Sequence, residues 1–143
     1  METKEDSLDI VVAGGTGFVG RALVPALVRH GHRVRVLARG RREEPPMDPS
    51  VRSESVDLAQ GRGLREALKG TRVGYYLVHS MGGGPTPDFA DRDRAAARNF
   101  VEAAEAEGVE RILYVGGLGE TTEQLSPHLQ SRREVARILA SRS

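Results

Sequence analysis

The stretch Leu8-Asp9-Ile10-Val11-Val12-Ala13-Gly14-Gly15-Thr16-Gly17-Phe18-Val19-Gly20, continued by RALVPALVRHG over residues 21–31, decides the fold. Its first six residues are nearly all apolar and rich in β-branched side chains, the pattern of a short strand buried on both faces. The glycines mark a turn. Val19, Leu23, Ala26 and Leu27 then recur at the spacing of one helix face, which predicts a helix over 18–31 with Gly31 as its C-terminal cap. Pro25 falls inside that helix, removes one backbone hydrogen bond and predicts a kink costing about 3 kcal/mol unless packing compensates. The glycines read as G-x-x-G-x-x-G from Gly14 or as G-x-G-x-x-G from Gly15. A strand-to-helix turn without side chains lets the backbone approach a pyrophosphate, and the helix N-terminus offers it unpaired N–H groups and partial positive charge. Gly20 lets the helix pack closely on the sheet. The competing reading is a glycine-rich turn that binds nothing.

Outward from this stretch, strand and helix patterns alternate. RVRVLA (33–38) reads as a second strand, and REEPPMDPS (42–50), with three prolines, as a loop. VRSESVDL (51–58) is a third strand, and GLREALKG (63–70) a short helix with Leu64, Ala67 and Leu68 inward. VGYYLVHS (73–80) is a fourth strand, followed by the loop GGGPTP (82–87) and a long helix over 88–107 with acids in its first turn. RILYVGG (111–117) is the fifth strand. Residues 125–143 are a loop entering a last helix with Val135, Ile138 and Leu139 on one face. Such alternation makes a parallel sheet covered on both faces. Right-handed crossovers favour an α/β, Rossmann-like doubly wound sheet of five strands in the order 3-2-1-4-5.

The 143 residues suit one domain over 1–143, with residues 1–7 a flexible N-terminus. Apolar residues at 38% and charged residues at 29% exclude disorder throughout. With no cysteine, a disulfide scaffold, a thiolate zinc site and a cysteine nucleophile all fall. No apolar run approaches the roughly 20 residues of a membrane helix, and METKEDSLDI lacks the apolar stretch of a signal peptide, so no membrane partner and a cytoplasmic location are expected. A net charge of +1 argues against a nucleic-acid partner. Arginine is nevertheless concentrated: from Arg21 to Arg42 there are seven and no acid, reflecting either phosphate recognition or a GC-rich coding sequence.

The strand ends supply the remaining site candidates. An NAD-preferring site places an acid after the second strand to bond the ribose hydroxyls. Here the sequence is Ala38-Arg39-Gly40-Arg41-Arg42, so Arg39, helped by Arg41 or Arg42, is expected to contact the 2′-phosphate of NADP. One such contact contributes about 1.5–3 kcal/mol, a tenfold to hundredfold preference for NADP(H) over NAD(H). The alternative is solvent-facing arginines. Asp57, with Leu58 beside it, ends the third strand, where its carboxylate can accept from the adenine amino group or serve as an ordinary turn residue. His79 and Ser80 end the fourth strand, where His79 could orient cofactor or substrate and Ser80 bond a ribose, or the histidine could be structural. A third glycine cluster begins at Gly116 on the same sheet edge.

GGTGFVG, the Arg-terminated second strand, VDL, YYLVHSMG, RNFVEAAEAEGV, RILYVGGLG and LSPHLQSRREV together resemble the atypical short-chain dehydrogenase/reductases, closest to their NmrA-like, NAD(P)H-binding branch and related to the nucleotide-sugar epimerases. The resemblance spans residues 8 to about 140. It implies a dinucleotide cofactor, an unknown small-molecule substrate and, in catalytic members, a Tyr-x-x-x-Lys pair after the fifth strand with a Ser at that strand's end. This chain departs at all three positions: His128 stands where Tyr would be, Arg132 where Lys would be, and Gly116-Gly117 where Ser is expected. Histidine can donate a proton near neutral pH, and arginine can bond ribose hydroxyls and a developing oxyanion, so a His128/Arg132 reductase is chemically possible. The alternatives are a non-catalytic dinucleotide-binding or redox-sensing module, or a truncated inactive fragment. Complete members of the family are longer, so the substrate-binding part is expected to be missing and the fifth strand to be an open edge through which a homo-oligomer could pair.

Overall fold

The computed structural model describes residues 7–15, 17–38, 48–78, 89–115 and 127–141. They form β1 (Asp9–Ala13), α1 (Phe18–Arg29), β2 (Arg33–Ala38), β3 (Arg52–Ser55), α2 (Leu64–Leu68), β4 (Val73–Tyr76), α3 (Phe89–Ala106), β5 (Arg111–Tyr114) and α4 (Pro127–Ala140). The five strands make one parallel sheet in the order β3-β2-β1-β4-β5, as the alternation predicts. Its register sets Val12 beside Val36 on one side and Tyr75 on the other, with Leu113 next along.

Side-chain alternation along the strands builds two cores, one on each face. Ile10 and Val12 of β1 point with Val34 and Val36 to Val24 and Leu27 of α1. Val11, Ala13, Leu37 and Tyr76 point the other way, against Leu64 and Leu68 of α2, Ala97 and Phe100 of α3, and Val135 and Leu139 of α4. Phe100 is fully buried and meets Tyr76 edge-to-face, with ring centroids 5.2 Å apart. Gly74 makes room for it, since a Cβ there would stand 3.0 Å from Phe100 Cζ.

The helix ends follow the sequence. Gly31 N–H donates to the Val28 carbonyl at 2.9 Å and His32 N–H to that of Leu27 at 3.1 Å, closing α1 in a Schellman motif. Pro25 lies inside α1 without ending it, because the flanking Val24 and Leu27 are anchored in the sheet-facing core. One expectation fails. The buried face of α1 runs through Gly20, Val24 and Leu27, whereas Val19 is exposed. Val19 is in the first turn, where the inward position is Gly20, packed against the Gly15 backbone.

Three strands end earlier than predicted. β3 ends at Ser55, with a turn over 58–60, because Asp57 bends the chain; β4 ends at Tyr76, and β5 at Tyr114. β3 and β5 flank the sheet, and on β5 and just beyond it Leu113 and Val115 are exposed.

Two of the arginines that concentrate after residue 21 serve the scaffold. Arg33 bonds both carboxylate oxygens of Asp9, at 2.8 and 2.7 Å. Arg35 Nη1 donates to the carbonyls of Ala67 and Lys69, at 2.9 and 2.7 Å, satisfying the C-terminal end of α2.

Candidate functional site

All five strands run parallel, so their C-terminal ends share one edge of the sheet, where open α/β folds bind ligands. The turn after β1 is built there. Gly14 has φ +84°, a conformation that side-chain-bearing residues rarely adopt, and its N–H donates to the Leu37 carbonyl at 3.0 Å. A Cβ on Gly15 would lie 2.7 Å from Val36 Cγ1, and one on Gly20 2.3 Å from the Gly15 carbonyl oxygen. These three glycines are therefore demanded by the protein's own packing.

Gly17 is different. Its φ of −80° suits any residue, it is exposed, and among the described residues a Cβ there would meet nothing nearer than the Gly14 oxygen at 3.7 Å. Nothing inside the described fold calls for glycine at 17. A backbone that must admit a bulky anion does call for it.

The surroundings fit an anion. Gly17 is the N-cap of α1 and supplies no capping side chain, and no acid lies in the first turn. The first N–H groups of an α-helix have no intrahelical acceptor, and the helix dipole adds partial positive charge there. Phe18 and Val19 stand beside them, with Phe18 95% exposed. A pyrophosphate fits this cradle, with an apolar rim.

At the end of β3, Asp57 Oδ1 accepts the Ala59 N–H at 3.0 Å, and the Asp57 carbonyl accepts the Gly61 N–H at 2.9 Å. Asp57 is thus a turn residue, and one carboxylate oxygen is not engaged by that turn bond. Leu58 sends its side chain into the core beside α2 and α3. The turn is also held from α3, where Asn99 Nδ2 donates to the Leu58 and Ala59 carbonyls at 2.8 and 3.1 Å. Strand and helix patterns do not single out Asn99; its one signal in the sequence is an amide between Ala97 and Phe100, half-buried on a helix whose buried positions are Ala, Phe and Val.

Thr16, Arg39, Arg41, Arg42, His79, Ser80, Gly116 and Gly117 lie outside the described residues. His128 and Arg132 occupy α4 one turn apart, and their side chains lie outside the described ones. The middle of α4 is tied to α3 by Arg94, which bonds Glu134 at 2.7 Å and also Asp91. Tyr76, at the end of β4, is 1% exposed and packed against Phe100 in the core, out of reach of a ligand, and burial, reinforced by Asp93 and Tyr114, pushes its phenol above the usual range. Among the described residues no group of acidic or histidine side chains could hold a metal ion, and no helix is long and apolar enough to cross a membrane.

Comparison with known proteins agrees with this geometry. Residues 14–142 match the model of the NAD(P)H-binding family. The chain is 32% identical over 129 residues to the ceramide reductase of Caulobacter vibrioides, covering 87% of this chain and 39% of the relative. It is 30% identical over 114 residues to the 3-beta-hydroxysteroid dehydrogenase of Mycolicibacterium neoaurum, covering 73% and 31%. The fold matches the crystal structure of the Bordetella bronchiseptica enzyme WbmG in complex with NAD, with a TM-score of 0.82 and 17% identity, over 100% of this chain and 52% of that one. The chain thus spans well under half the length of both sequence relatives.

Proposed function

We propose that this chain, which belongs to the NAD(P)H-binding family, is the cofactor-holding part of an NADP(H)-dependent oxidoreductase that reduces a carbonyl of an apolar small molecule with NADPH or, in reverse, oxidises its secondary hydroxyl with NADP+. The observation that carries the dinucleotide reading is Gly17, a glycine with room for a side chain and an ordinary φ, at an uncapped helix N-terminus. The α1 N-terminus takes the pyrophosphate through backbone N–H groups. Asp57 accepts from the adenine amine. Arg39, directly after β2, bonds the 2′-phosphate and sets the preference for NADP(H). The two sequence relatives, a ceramide reductase and a hydroxysteroid dehydrogenase, motivate the apolar carbonyl or hydroxyl.

When bound, the nicotinamide supplies a hydride to the carbonyl carbon. On α4, His128 gives the proton that the oxygen needs, and Arg132 bonds the ribose and steadies the oxyanion. His79 and Ser80 orient the nicotinamide half. The combined replacement of Tyr, Lys and Ser at 128, 132 and 116 motivates a second reading, a module that binds the dinucleotide and transfers nothing.

Calorimetric titration with NADPH and then NADH tests the first step, with NADPH expected to bind at least tenfold more tightly. Arg39→Ala should bring the two affinities together. An unchanged ratio removes Arg39 from the site. NADPH oxidation with a panel of ketones, aldehydes and quinones separates the readings: tight binding with no turnover favours the non-catalytic module.

A further inference from the structure

We propose that Asn99, in the middle of α3, is a positioning residue for the adenine end of the site; the proposal rests on the dinucleotide reading above and assigns the residue that makes Asp57 selective. Both of its bonds run to main-chain carbonyls, Leu58 at 2.8 Å and Ala59 at 3.1 Å. Only the nitrogen of an amide can donate, so the orientation of the side chain is settled by its partners. Asp57 organises the same turn from within, through its Oδ1 to Ala59 N–H and its carbonyl to Gly61 N–H. The turn is therefore held on two sides, by its own aspartate and by one amide on a neighbouring helix.

Gly61 is shaped to that amide. It has φ +74°, and a Cβ there would stand 3.1 Å from Asn99 Nδ2 and 3.2 Å from Cγ. The neighbouring α3 positions Ala96, Ala97, Phe100 and Val101 are buried and apolar. Packing of α3 alone does not ask for an amide at 99. Its bonds go to the backbone that carries Asp57, at the end of a strand where a ligand is expected.

Asn99 fixes the direction in which the second Asp57 oxygen is presented. A purine with an amine at C6 donates to that oxygen. A purine with a carbonyl at C6 meets it oxygen to oxygen and is rejected. With the turn released, the carboxylate is free to move and the discrimination disappears, whereas pyrophosphate binding at α1 is untouched.

The test compares NADPH with its hypoxanthine analogue, nicotinamide hypoxanthine dinucleotide phosphate, by calorimetry. Wild-type protein should favour the adenine form by roughly tenfold to a hundredfold, the worth of one hydrogen bond to a charged group. Asn99→Leu should bring the ratio to within about twofold of unity while still melting cooperatively. Gly61→Ala, which crowds the amide from the other side, should do the same and replaces Asn99→Leu if that variant does not fold. A wild-type ratio in the folded variant overturns the role of Asn99 and leaves the dinucleotide reading standing. So does wild-type protein that binds both forms equally. Wild-type protein that binds neither overturns the dinucleotide reading and, with it, this one.

Discussion

Gly20→Ala and Gly17→Ala, made side by side, should separate what the glycine turn does for the fold from what it does for a ligand. At position 20 the new methyl would lie 2.3, 2.4 and 2.5 Å from the O, C and Cα of Gly15. Those are backbone atoms with no rotamer to escape into, and Gly15 is itself pinned, with its Cα facing Val36 and Val12. Relief requires the first turn of α1 to move outward by about 1 Å, which loosens Val24 and Leu27 against the sheet. Overpacking of this kind costs typically 1–3 kcal/mol, and backbone on both sides puts it near the top. At roughly 4 °C per kcal/mol for a chain of this size, the melting temperature should fall by about 10 °C. At position 17 the nearest atom among the described residues is 3.7 Å away and φ is −80°, so the methyl is accommodated. Replacing glycine at a compatible φ/ψ stabilises by about 0.4–1 kcal/mol through the unfolded chain, so the melting temperature should hold or rise slightly. Yet NADPH affinity should fall at least tenfold, because the methyl stands where the pyrophosphate meets the backbone. Scanning calorimetry and NADPH titration of both variants decide the matter. A stable Gly17→Ala variant with wild-type affinity refutes the cradle, and a Gly20→Ala variant as stable as wild type refutes the packing argument.

Phe100→Ala should lower the urea-derived unfolding free energy by about 3–5 kcal/mol, as burial of a whole ring is lost. Adding Gly74→Ala should recover about 1 kcal/mol, because its methyl enters the space the ring vacates, 3.0 Å from the former Cζ. The Arg33 guanidinium bonded to Asp9 holds that carboxyl below its usual value. A depressed folded-state value stabilises at neutral pH and is lost as pH falls through it, so Asp9→Asn should flatten the decline of the urea midpoint below about pH 4 and leave its shape at pH 6–8 unchanged.

The fold was legible because its signals are local and repeated. The apolar run at 10–13, the glycines at 14–20 and the cap at Gly31 each act over a few residues, and strand–helix alternation then leaves few topologies. What escaped was set by neighbours far along the chain. Val19 fits the helical period, yet it is exposed, and in the first turn of α1 the position turned inward is Gly20, set against the Gly15 backbone. β3 continues in sequence through Val56, Asp57 and Leu58, but an aspartate bonding its own i+2 N–H competes with the ladder and ends it. Asn99 was silent because its partners lie 40 and 41 residues away. Of the candidate site, the glycine turn and Asp57 are placed at one edge of the sheet, while the roles of His128 and Arg132 rest on sequence alone.

The arginines show how strand polarity sorts a cluster that composition merges. β2 rises about 3.3 Å per residue, so its two ends, Arg33 and Ala38, are separated by roughly 17 Å. That is about twice the screening length at physiological salt, so charge at one end hardly acts at the other. Arg33 is matched to Asp9 and Arg35 to the α2 carbonyls, both toward the edge opposite the glycine turn. These residues account for the arginine content there without any ligand. The excess of positive charge over residues 21–42 is therefore not itself an argument for a phosphate. Phosphate recognition then falls to Arg39 and its neighbours Arg41 and Arg42, the arginines that follow β2 in the sequence. Cofactor preference should accordingly respond to substitution at 39, 41 or 42 and be indifferent to Arg33→Gln, which removes the same charge from the far end.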